Sequence, residues 1–195
     1  MLYTTYLAGA MEAATLKEMS SWRNQFKEFF SSKNLLIYDP VDQETEKVDC
    51  EAKDQHQLLE VLKKEKRNKE FFEVMWKIWF GNIPINTKIV DVFKTIRLNK
   101  LTFGNNPEDK NNWGDFEAVL RSDFIVVYLP DSHKTVGTYY EVAIALMFDI
   151  PIYLIVPDND YEQINSCLLF AIHLSNGRFF EDLDNCMNYI KRKYF

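Results

Sequence analysis

The chain has 195 residues and 6 glycines, with 47% hydrophobic and 15% aromatic residues; this excludes a disordered polypeptide and fits one domain with a sizeable core. The formal net charge is -6, whereas a binder of duplex DNA or RNA carries a basic surface, so no nucleic-acid polymer is expected as a partner, although a local site can still hold a small anion. The three cysteines, Cys50, Cys167 and Cys186, follow no zinc or disulfide spacing and read as reduced thiols.

The opening MLYTTYLAGAMEAA has no basic segment ahead of a long apolar run, so no signal peptide is read there. Nor does any run of about 18 apolar residues predict a membrane span. A cytoplasmic location and no membrane partner are expected. YTTYLAG reads as a first buried strand ending at Gly9. A helix follows over about 13–30, with Leu16, Met19, Phe26 and Phe30 on its apolar side. NLLIYDP is a second strand, stopped by Pro40. Strand, helix and strand in this order predict a βαβ unit.

From Val41 to Asn112 the pattern changes. Leu58, Leu59 and Leu62, then Phe71, Phe72, Met75, Trp76 and Trp79, recur at helical spacing until Gly81 and Pro84. TKIVDVFKTIRLNKLTF fits strand or helix equally, and GNNPEDKNNWG reads as a loop. Residues 41–112 are therefore read as a largely helical insertion in an α/β core. The core resumes with a short helix in WGDFEAVLRSD and a buried strand in FIVVYLP. TVGTYYEVAIALMFD is a helix entered through Gly137, IPIYLIVP a strand, and DYEQINSCLLFAIHLS helical. GRFF and EDLDNCMNYIKRKYF give a last strand and a terminal helix. Strands this apolar are covered on both faces, as in parallel sheets. The expected fold is α/β and doubly wound, with a mainly parallel sheet flanked by helices in the flavodoxin or Rossmann manner, and ligands bind such folds beyond the carboxyl ends of the strands.

Polar residues collect at those ends. Gly9 follows the first strand, Asp115 opens the helix before FIVVYLP, and Thr135, Gly137 and Glu141 follow that strand. There is no GxGxxG and no GxxxxGK[ST], which speaks against dinucleotide or ATP binding. Asp115 can cap a helix start. Glu141 sits among Tyr139, Tyr140, Val142, Ala143 and Ile144. On the polar side of its helix it is an ordinary exposed acid; on the apolar side it needs a partner or a task. Two carboxylates at neighbouring strand ends can break a glycosidic bond, one attacking the anomeric carbon and one protonating the leaving group. His56, His133 and His173 form no ligand motif, so no metal or cofactor is expected.

Four stretches resemble the nucleoside 2-deoxyribosyltransferase family, whose superfamily includes nucleoside 5'-monophosphate N-glycosidases. They are YLAG, DFEAVLRSDFIVVYLPD, VGTYYEVAIAL and IVPDNDYEQIN, covering roughly residues 1–40 and 113–180. The resemblance implies Glu141 as nucleophile, Tyr6 as the residue orienting it, Asp115 as acid, and Asp123 as the second Asp of the motif. It further implies Asn165 as a contributor to a neighbouring subunit's sugar site, hence a homo-oligomer. The substrates would be a nucleoside or nucleotide and a free nucleobase. By their places at the strand ends and just before Asp115, Gly9, Gly137 and Trp113 are candidates to line the pocket. The transferases carry an Asp where Thr135 stands here. The N-glycosidases place a serine there for the 5'-phosphate, but their other phosphate contacts, a Ser and an Arg, are Ala10 and Glu12 in this chain. Transfer to a base, hydrolysis, and nucleotide sensing without catalysis are therefore all expectations to weigh.

Overall fold

The computed structural model of the protein describes residues 1–9, 16–42, 52–130, 136–157 and 164–195. Ala10, Glu12, His133 and Thr135 lie outside the described residues. The chain forms two compact units, Met1–Asp39 with Ser122–Phe195, and Pro40–Arg121.

The first unit holds a five-stranded sheet: β1 (Tyr3–Gly9), β2 (Leu35–Tyr38), β3 (Phe124–Tyr128), β4 (Ile152–Ile155) and β5 (Arg178–Phe180). Strand order is β2-β1-β3-β4-β5 and every pairing is parallel. This is the doubly wound flavodoxin-like order, whose switch point falls between β1 and β3. The β-branched and aromatic content of β3 and β4 explains their place in the middle of the sheet. The first four residues of β3 and all four of β4 are buried, as strands covered on both faces must be.

Side chains alternate across the sheet. Leu7, Phe124, Val126, Tyr153 and Ile155 share one core with Trp22 and Phe26 of α1 (Leu16–Phe29) and with Leu183, Cys186, Met187 and Ile190 of the C-terminal helix (Leu183–Tyr194). Tyr6, Ala8, Ile125, Val127, Ile152 and Leu154 are buried on the other face. Two helices, Val136–Met147 and Ser166–Leu174, pack there on each other and on the strands. At the amino end of β3, Asp123 clips two strands together: its Oδ2 accepts from the Thr4 amide at 2.8 Å, and its own amide donates to the Thr4 carbonyl at 2.7 Å. That is a structural role.

The second unit is helical and lies in the chain between β2 and β3. It comprises α2 (Ala52–Lys64), α3 (Asn68–Phe80), α4 (Ile89–Phe103), a 3-10 helix (Pro107–Asn112) and α5 (Asp115–Arg121). The helices beyond it are α6 (Val136–Met147), α7 (Ser166–Leu174) and α8 (Leu183–Tyr194). The segment that fitted strand or helix is α4. Aromatic side chains fill this unit's interior: the Trp76 and Phe80 rings lie 4.4 Å apart, and Phe116 lies 4.7 Å from Trp79 and 5.4 Å from Phe80. The unit extends through Arg121, so α5 belongs to it, where the sequence reading closed the insertion at Asn112.

Candidate active site

Tyr6 stands on β1 beside the switch point, in register with Tyr38 of β2 and Ile125 of β3. It is fully buried, and its ring stacks on Tyr38 at 5.5 Å between centroids and 21° between planes. Two aromatic residues on paired strands thus hold each other in one rotamer. The Tyr6 hydroxyl donates to Glu141 Oε1 at 2.6 Å. Glu141 is half-buried in α6, next to buried Val142 and one turn from buried Thr138 and Ala145. The acid's neighbours belong to the helix face that covers the sheet, and the phenol is the partner it needed. A bond this short to a charged acceptor is of the strong kind. It fixes the carboxylate's orientation before any ligand arrives.

Gly9 ends β1 in a tight place. A Cβ there would lie 3.0 Å from the Tyr128 carbonyl, 3.3 Å from the Trp22 ring and 3.4 Å from Arg23 Nη2. Gly137, by contrast, is exposed in the first turn of α6, and among the described residues a Cβ on it would meet nothing within 4 Å.

Charged residues that the sequence reading passed over stand at the same end of the sheet. Asp39 follows β2 directly and is 3% exposed; Arg23 Nε lies 3.2 Å from its Oδ1 and Lys27 Nζ 2.9 Å from its Oδ2. Arg23 also covers the Trp22 ring, at 4.6 Å, and that ring stacks on Tyr128 at 5.1 Å. The signal was present in the sequence. Arg23 and Lys27 are four apart, on one face of α1, and Asp39 ends a strand where doubly wound folds gather polar groups.

The other residues expected at the site stand on other elements. Asp115 is the first residue of α5, in the helical unit, and is buried. Trp113 belongs to that unit too; it is 2% exposed, with the Arg121 guanidinium 4.9 Å from its ring centroid. Asn165 is exposed at the start of α7, where its Oδ1 accepts from the Cys167 amide at 2.8 Å. The structure therefore brings Tyr6 and Glu141 into contact and gives Asn165 a capping bond. Among the described residues there is no group of three or more His, Cys, Asp or Glu arranged to hold a metal, and no helix long and apolar enough to cross a membrane.

No family model matches the chain, and no curated protein does. Among solved structures, it is similar to a conserved protein from Enterococcus faecalis V583, with a TM-score of 0.54, 17% identity and 99% of each chain covered. At that identity the likeness shows a shared fold along the whole length: the protein is a doubly wound α/β protein with an all-parallel five-stranded sheet.

Proposed function

We propose that the protein cleaves the N-glycosidic bond of nucleosides or their 5'-monophosphates through a covalent glycosyl-Glu141 intermediate, and passes the sugar to another base or to water. The observation that carries this reading is the 2.6 Å hydrogen bond from Tyr6 to Glu141 beside the β1–β3 switch point. A carboxylate that only stabilised the fold would be served by any polar partner. One pinned by a buried phenol at the ligand-binding end of the sheet is a group held for attack.

In this reading a Glu141 oxygen bonds to C1' as the C1'–N bond breaks, and the electron pair leaves with the base. Asp115 gives its proton to the departing nitrogen. Positive charge grows on the sugar as the bond stretches, and the carboxylate opposes it. The glycosyl ester is then attacked at C1' by a second base or by water, which releases Glu141; in either case the ionised Asp115 takes the proton that the acceptor loses. The scheme uses no metal or cofactor.

The test offers deoxyribonucleosides, ribonucleosides and their 5'-monophosphates, with and without an acceptor base, and follows the bases by chromatography. Base exchange identifies a transferase. Release from monophosphates alone identifies an N-glycosidase. No turnover of any of them overturns the reading and leaves a binding module.

A further inference from the structure

We infer that the last turn of α3, through a backbone contact between Gly81 and Gly114, is the device that sets the position of Asp115, so that the helical insertion serves as the mount of the acid. The inference rests on the role proposed for Asp115.

The contact is unusually close. A Cβ on Gly114 would lie 2.4 Å from the amide nitrogens of Phe80 and Gly81 and from the Trp79 carbonyl carbon, and a Cβ on Gly81 would lie 2.2 Å from the Asn112 carbonyl oxygen and 2.8 Å from the Gly114 nitrogen. Two backbones meet here with no room for a side chain on either. Gly81 has φ 59 and ψ -127, a conformation open to glycine and strained for other residues, and its amide still closes α3 on the Lys77 carbonyl at 2.9 Å.

The contact is reinforced on both sides of Asp115. Before it, Asn82 Nδ2 donates to Asn112 Oδ1 at 3.1 Å. After it, the Phe116 ring packs on Trp79 and Phe80 of the same α3 turn. At the far end of α5, Arg121 Nε donates to Glu117 Oε1 at 2.8 Å while its guanidinium covers Trp113, and Asn105 Nδ2 donates to the Arg121 carbonyl at 2.8 Å. Gly114 and Phe116, the two chain neighbours of Asp115, are thus held to one helix end, and Asp115 moves only if that end moves. A stage this rigid exceeds what capping a seven-residue helix requires, whereas an acid that must meet one nitrogen of a leaving base needs it.

The experiment separates a displaced acid from a damaged fold by choice of leaving group. An ordinary purine nucleoside needs a proton on its base as the C1'–N bond breaks. Its N7-methylated counterpart already carries the positive charge, so its base leaves neutral without an acid. In Gly114→Ala the two backbones must part by about 1 Å to reach ordinary contact, and a misplacement of that size can cost ~10²-fold. The expected result is a fall of about 10²-fold in kcat on the ordinary nucleoside, little change on the methylated one, and KM near the wild-type value. D115N sets the benchmark and should show the same selectivity, more strongly. If Gly114→Ala does not fold, Asn82→Ala carries the test, with a selective loss of several-fold.

An equal loss on both substrates, or no loss, in a folded variant overturns the inference alone when D115N is selective. If D115N itself shows no selectivity, the assignment of Asp115 as acid falls, and this inference with it.

Discussion

The bond between Tyr6 and Glu141 makes a demand on each partner. Glu141→Gln keeps the shape and a weaker hydrogen bond but removes the nucleophile, so kcat/KM should fall at least ~10³-fold, with no sugar adduct on the peptide carrying position 141 by mass spectrometry. Tyr6→Phe keeps the stack on Tyr38 and removes only the hydroxyl. A hydrogen bond to a charged group is worth about 1.5–3 kcal/mol, so the loss should be about 10- to 100-fold, carried by kcat more than by KM. Full activity in Glu141→Gln would sink the assignment. Glu141 was legible in the sequence because a charge among apolar neighbours stands out. Tyr6 was not legible from pattern, since a tyrosine in a buried strand looks like packing and its partner lies 135 residues away; only the family resemblance singled it out. The ion cluster of Arg23, Lys27 and Asp39 escaped because each residue taken alone looks like solvated surface, and burial comes from strand and helix meeting in space.

Between elements, two junctions set how the sheet and its helices hold together. Asp123 is the clip between β1 and β3, and Asp123→Ala leaves the Thr4 amide without its charged acceptor, at a cost of about 1–3 kcal/mol in unfolding free energy, measurable by urea titration; an unchanged midpoint would show that the clip is idle. The junction of β4 and α8 responds to pH instead. The Tyr153 and Tyr194 hydroxyls lie 2.8 Å apart. Burial raises both, Tyr194 from the ordinary 10.0 to about 12 and Tyr153 further. The folded state therefore keeps protons that the unfolded chain releases. The contribution to stability is complete below pH 10.0 and is lost as the pH climbs toward about 12. The urea midpoint should fall across that window, and less steeply in Tyr194→Phe; equal slopes would refute the link. Apolar density made β3 and β4 readable from sequence. It failed over α4, where Val92 and Ile96 are buried but Val90, Leu98 and Leu101 are exposed, so apolar residues occupy more than one face and no single period emerges. Nor does it record how α5 packs: α5 abuts β3 in the chain, yet its Phe116 packs on α3, a contact outside any local pattern.

For the molecule as a whole, the reading of Asn165 demands a second copy, because a residue that serves a neighbour's sugar site needs a neighbour. The two helices beside it have the surface for one. Val136, Tyr140 and Met147 of α6 are 66%, 52% and 69% exposed, and Phe170 and Leu174 of α7 are 63% and 49% exposed. Residues 136, 140, 143 and 147 follow one helical face, and α6 and α7 pack on each other; we propose that the exposed side chains of both make one band. Five large side chains exposed to this degree present on the order of 500 Å² of apolar surface, against ~800 Å² per partner in a standard interface. Polar residues at the rim can supply the difference. An apolar patch of that size often marks an interaction site. The chain should therefore sediment as a homo-oligomer. Charges placed in the band, as in the double variant M147E/F170E, should give monomers that remain folded, since neither side chain is buried. If Asn165 acts across the interface, those monomers should bind the sugar more weakly, with a KM near that of Asn165→Ala. A wild-type chain that sediments as a monomer at assay concentration, with full activity, would remove both the interface and the cross-subunit role of Asn165 while leaving the Tyr6–Glu141 pair as it stands.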